Sequence, residues 1–239
     1  MMLVHTWIDQ YDGTALDIFL REKTACAVQF DCGDADEIPR VKAAELAEAK
    51  APFPITLLQF ETPTSPHKSH ILILWHESTD GSIVIMGAER ARADKKWRTM
   101  LPRHVTRNDG VFHFEGYGYD DAHKASKVFF AMALNLFYVL GCSNVGTIET
   151  AAPSALNKKR AKAGKFPIIE YKTLVVQLGA SRNGRQDAGG THASPRVHLR
   201  RGHVRRLDYG RRVWVQACVV GSTHGIVLKD YKLSTVGEE

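Results

Sequence analysis

Two apolar runs, Ile71–Trp75 and Ile83–Met86, stand on either side of Asp80-Gly81. Asp-Gly accepts the left-handed backbone that a tight hairpin needs, so the two runs are predicted to pair antiparallel. An extended segment of Ile55, Leu57, Leu58 and Phe60 precedes them. A second turn, Asn108-Asp109-Gly110, separates a strand near Leu101 to Thr106 from Val111–Phe114, where Val111 and His113 alternate with Phe112 and Phe114. The middle of the first half therefore reads as a small antiparallel sheet.

Helical periodicity surrounds that sheet. The first 50 residues read as mostly helical, with one segment at Ala15–Leu20 and another at Val41–Lys50 bracketed by Pro39 and Pro52. From Asp120, an N-cap with Asp121 beside it, a long helix is predicted to about Leu140, stopped by Gly141. Apolar residues nearly surround it, which marks a central core helix. Its apolar stretch from Val128 to Leu140, interrupted by Asn135, is shorter than the roughly 20 residues that span a bilayer. The N-terminus lacks a basic segment before a long apolar one, so a cytoplasmic chain with no membrane contact is expected. Cys26, Cys32, Cys142 and Cys218 are too scattered for a disulfide framework, which agrees with a reducing compartment. Cys26-x5-Cys32 departs from zinc spacing, and no P-loop, Gly-x-Gly-x-x-Gly or Gly-x-Ser-x-Gly is present, so neither metal nor cofactor is expected.

Charge divides the chain. Residues 158–212 hold fifteen Lys and Arg against three acids, a net of +12, and since the whole chain carries +6 the remainder carries −6. An acidic portion over 1–150 and a basic portion over 151–239 are expected, as one continuous globule. The basic portion opens with a short helix after Pro153, carrying Lys158, Lys159, Arg160 and Lys162 and ending at Gly164. Four strands follow, at 166–178, 196–207, 212–220 and 225–233, with a Gly-rich loop at 179–195. The expected fold class is thus α+β, with antiparallel sheet packed on a long central helix and a basic four-stranded antiparallel meander at the C-terminus.

The densest segment is Pro195–Leu207. In a strand Val197 and Leu199 face the core, and a bulge at Arg201-Gly202 would return Val204 to it. His198, His203, Arg200 and Arg205 would then share the outer face. Histidine titrates near neutrality and arginine fixes charge on a phosphate, so these four are candidate catalytic residues for metal-independent RNA cleavage. Lys158, Lys159, Arg160, Arg196, Arg201 and Arg206 are candidate phosphate contacts, and Trp214 a candidate stacking partner for a base. A helix followed by such a sheet looks like the metal-independent ribonuclease fold of barnase and RelE-type toxins, an analogy of topology that transfers no catalytic residue.

Leu156-Asn157-Lys158-Lys159-Arg160, Gly164-Lys165-x-Pro167, Tyr171, Arg200-Arg201-Gly202-His203-x-Arg205, Val213-Trp214-Val215 and Gly225-Ile226-Val227-x-Lys229-Asp230-Tyr231 together resemble uncharacterised proteins of bacteriophages and prophages. The resemblance covers about the last third and implies a setting, an infected bacterium, without a mechanism. The expected function is binding of nucleic acid, RNA ahead of DNA, through the basic face. The rival expectation is a non-enzymatic protein that binds and inhibits or modulates a host protein.

Overall fold

The computed structural model of the chain describes residues 3–11, 14–62, 69–93, 96–100, 102–108, 111–115, 120–176, 198–200, 202–215 and 218–220. In chain order its elements are α1 (Val4–Asp9), α2 (Ala15–Cys26), β1 (Val28–Asp34), α3 (Ala43–Leu46), β2 (Ile55–Thr62), β3 (Ser69–Glu77), β4 (Ile83–Ala91), β5 (Arg98–Thr99), β6 (Arg103–Asn108) and β7 (Val111–Glu115). Then come α4 (Asp120–Leu140), β8 (Val145–Thr150), α5 (Ser154–Lys162), β9 (Tyr171–Val176), β10 (His198–Arg200), β11 (His203–Arg206), β12 (Arg212–Val215) and β13 (Cys218–Val220).

The fold is α+β, built on a nine-stranded sheet in the order β7-β6-β4-β3-β2-β1-β9-β8, with β5 paired to β4. Both expected hairpins are present: β3 and β4 pair antiparallel around Asp80-Gly81, and β6 and β7 pair from Asn108 opposite Val111. Gly81 takes a φ of +82°, as the turn requires. The runs on β2, β3 and β4 are continuously apolar because the sheet is covered on both faces. Ile71, Ile73 and Trp75 join Leu58, Phe60, Ile83 and Ile85 on the side of α4, while Leu72 and Leu74 join Leu57 and Met86 on the side of α1 and α2. Successive residues of a strand point to opposite faces, so one uninterrupted run supplies two cores.

On the first face α4 brings Phe129, Phe130, Ala133, Leu134, Phe137 and Tyr138 down onto the sheet. Trp75 stacks on Phe130 at 5.2 Å between ring centroids and meets Phe137 edge-on at 5.0 Å. Phe112 and Phe114, on the inward face of β7, set their edges against Phe130 at 4.8 and 5.0 Å. Each such ring contributes roughly 1.5–3 kcal/mol through burial. Gly87 makes that approach possible: a Cβ there would overlap the Phe129 ring. Asn135, the polar break in the apolar run of α4, accepts the Val41 N–H at 2.9 Å and fixes the segment entering α3.

The structure departs from the sequence expectations at three places. The first 50 residues are not mostly helical, because β1 lies among them and runs parallel to both its neighbours, β2 and β9. The strand predicted to open a C-terminal meander is β9, which joins the large sheet between β1 and β8. The boundary at 150/151 therefore falls inside the sheet. The strands expected at 196–207 and 212–220 do pair antiparallel, β10 and β11 against β13 and β12 in one continuous register, but among the described residues they form a two-stranded hairpin where a four-stranded meander was expected. Arg200 and His203 stand three positions apart, as do their partners Cys218 and Val215, so the register leaves no extra residue for the bulge expected at Arg201-Gly202. The 179–195 loop and the 225–233 strand lie outside the described residues. Among the described residues, no helix is long and apolar enough to cross a membrane.

Candidate functional site

Pro52-Phe53-Pro54 leads into β2 through a run of bends, where the two prolines deny the segment regular structure. Phe53 is 37% exposed although its ring reaches Phe30, 6.2 Å away between centroids. It is the wall shared by two cavities. The first, of about 480 Å³, is lined by Trp75, Ile83, Phe112 and Leu134, with Lys50, Glu77 and Arg107 also bordering it. Arg107 is held in place by donating to the Ala47 carbonyl and by lying over the Phe112 ring at 5.5 Å. The second, of about 460 Å³, lies where α2 ends and β1 and β9 begin, among Cys26, Val28, Gln29, Glu149, Glu170 and Tyr171. Lys172 and Glu149, paired across β8 and β9, close its edge. An apolar surface with aromatic walls and charged residues at its border, centred on a half-exposed phenylalanine, has the composition of a surface that binds another molecule.

The basic residues divide into those already engaged and those directed to solvent. Arg206 donates to Glu45 at 3.1 Å and to Glu48 at 3.0 Å, so two carboxylates of the α3 region hold its charge. Arg212 lies over the Tyr138 ring at 4.1 Å and reaches Glu48 at 4.0 Å. These contacts join the basic ladder β11–β12 to the acidic first half. Trp214 is 8% exposed, packed against Val139 and Cys142, and its ring is a packing element of the junction between β12 and α4. Asn144 fixes that junction, donating to the Trp214 carbonyl at 2.8 Å and accepting its N–H at 2.7 Å.

His203 and Arg205 lie on β11, opposite Val215 and Val213. His198 and Arg200 lie on β10, opposite Val220 and Cys218, further along the same register. The one face expected to carry all four needs an extra residue between Arg200 and His203, and the register leaves none. Arg196 and Arg201, and the side chains of His198 and Arg200, lie outside the described residues. Among the described residues no group of His, Cys, Asp and Glu could hold a metal ion.

On α5, Arg160 turns inward, donating to Asp9 at 2.7 Å and to the Phe166 carbonyl at 2.8 Å. Lys158, Lys159, Lys162 and Lys165 are exposed, and among the described residues none of them makes an ion pair.

No curated protein and no solved structure matches the chain. The profile of the AcrVA2-like family, described as the anti-CRISPR type V subtype A2 family, matches residues 30–222. That match runs from β1 through β13, far beyond the last third that carried the phage resemblance, and takes in the Phe53 surface and α5. The chain belongs to the AcrVA2-like anti-CRISPR family.

Proposed function

We propose that this chain is a phage protein that blocks a type V CRISPR system by binding one of its proteins, and that the surface around Phe53 makes the contact. The match to an anti-CRISPR family over residues 30–222 is the observation that carries the reading. The Phe53 surface supports it in kind, because aromatic side chains seated beside pockets supply most of the energy of protein recognition while the charged border sets orientation. Lys50, Glu77 and Arg107 are such a border. Binding of this kind needs no chemistry from the chain, and its strength would survive salt better than a contact made by charges alone.

The test is calorimetric binding to the purified proteins of a type V system, with protection of a phage from CRISPR interference measured in parallel. Phe53→Ala is expected to weaken binding by at least about tenfold, as loss of an interface anchor does, and to reduce protection, with the melting temperature unchanged. Equal binding by the parent and by Phe53→Ala removes the surface from the proposal. Absence of binding by the parent to every protein of the system removes the proposal itself.

A further inference from the structure

α5 is a nine-residue helix in which no residue is buried. Two side chains fix it to the molecule. Asn157 pairs with the backbone of Ile168 at 2.7 and 2.8 Å, and Arg160 reaches Asp9 and the Phe166 carbonyl. At about 100° per residue, Asn157 and Arg160 define one side of the helix, and Lys158, Lys159 and Lys162 centre about 180° away on the other. Gly164, with φ +66°, ends the helix, and Lys165 follows it, also exposed.

Folding alone does not account for this face. Between Ala151 and Ile169 the chain has no acid. Lysines in a last helical turn are favoured by the helix dipole, but Lys158 lies further in and repels Lys162 four residues on. The arginine of the group, Arg160, is already neutralised by Asp9. The four lysines therefore present positive charge that no acid among the described residues neutralises.

We propose that Lys158, Lys159, Lys162 and Lys165 bind the phosphodiester backbone of nucleic acid, RNA and DNA alike. Lysine is depleted in the cores of protein–protein interfaces, where aromatic residues and arginine dominate, and α5 offers only Leu156 as an exposed large apolar side chain. Lysine ammonium groups are well suited to phosphate, and the face has no aromatic or amide group to read a base. Binding there is therefore independent of sequence and of the sugar, and it is separate from the Phe53 surface, so either can fail without the other.

Fluorescence anisotropy with fluorescein-labelled oligo(U) and oligo(dT), from about 50 to 200 mM salt, tests it. The parent is expected to bind both probes. Replacing Lys158, Lys159 and Lys162 with Gln should lower the slope of log K against log salt by about 2, at roughly 0.7 for each single-strand phosphate that a lysine no longer neutralises. A control that removes the same charge elsewhere, Lys42→Gln, Lys96→Gln and Lys124→Gln, should leave the slope unchanged, and the Lys→Arg triple variant on α5 should bind as the parent does. The proposal is overturned if the parent does not bind at the lowest salt, or if the α5 variant and the control weaken binding equally. It is also overturned if poly-glutamate displaces the probes as well as unlabelled oligo(U) does, which would assign the face to an acidic protein.

Discussion

The side-chain amide of Asn157 makes both of its hydrogen bonds to the backbone of Ile168, donating to the carbonyl at 2.7 Å and accepting the N–H at 2.8 Å. It thereby takes the place of a neighbouring strand for a residue just before β9. Asn157→Ala removes both bonds and leaves the Ile168 groups without these partners, so a loss of about 2 kcal/mol is expected in urea unfolding. Asn157→Asp should cost more than Ala near neutral pH, because the second carboxylate oxygen then faces the Ile168 carbonyl.

Gly87→Ala is expected to be among the most damaging of small substitutions, at about 3 kcal/mol, because the new methyl group would meet the ring of Phe129 on α4 and the end of Met100. Phe129→Ala by itself opens a cavity and is also destabilising. In the double variant the methyl group occupies part of that cavity, so the two losses should sum to less than their separate values. An additive double-mutant cycle would show that Gly87 and Phe129 do not constrain each other.

Acid should weaken the fold from about pH 6.5 downward. Burial holds His70 below its ordinary pKa and outweighs Glu61, 3.7 Å away, while Arg90 and Arg92 push in the same direction as burial and Asp31 opposes it. Burial likewise lowers His76, helped by Lys23 and opposed by Glu22. The folded chain then binds fewer protons than the unfolded one just below about pH 6.5, so stability is fully present above that value and falls as pH falls through the folded pKa values. Urea midpoints between about pH 5 and 7.5 should show this decline. His70→Gln combined with His76→Gln should flatten it.

Thiol reactivity should separate the cysteines. Cys26 is exposed, whereas burial, with Asp31 nearby, raises the Cys32 thiol well above its usual range, and burial also raises Cys142 against the opposing charge of Arg212. Only the thiolate is alkylated at a useful rate. Iodoacetamide on the folded protein, followed by peptide mapping, is expected to mark Cys26 and to reach Cys32 and Cys142 only after denaturant is added.

The parts of the fold legible in the sequence are those whose signal is local. Asp80-Gly81 and Asn108-Asp109-Gly110 carry their turn chemistry within a few residues, and Gly164 closes α5 in the same way. β1 was hidden because Gln29, Asp31, Gly33 and Asp34 break the apolar pattern, although the strand lies between two parallel partners. β8 was hidden because it is an edge strand with Ile148, Glu149 and Thr150 exposed. The pairing of β9 with β1 joins residues more than a hundred positions apart, which no local pattern encodes. At Arg201-Gly202 the parity of the apolar residues does change, but the pairs on either side keep one register, so the change does not mark an extra residue in one strand.

The candidate sites divide in the same way. The lysines of α5 were legible as a basic helix, since helical periodicity alone places them. That Arg206 and Arg212 would be held by Glu45 and Glu48 was not legible, because the pairing joins residues more than 150 positions apart. Trp214 sits in the most basic third of the chain and looks exposed from its neighbours, yet its ring is buried against α4. Phe53 was not legible because one exposed aromatic has no periodicity, and its meaning comes from the two cavities it divides.

The position of β9 between β1 and β8 also sets a timetable for synthesis. β1 emerges from the ribosome early, pairs with β2 on one side, and keeps its other edge open until residues 171–176 arrive. At the usual pace of bacterial translation that interval is on the order of ten seconds, long enough for the bare edge to meet other chains. Asp31 and Asp34 stand on that strand and Gly33 near its end, a charged and irregular sequence that discourages pairing with strangers. The polar interruptions that hide β1 from a pattern search would then be what protects it while it waits for its partner.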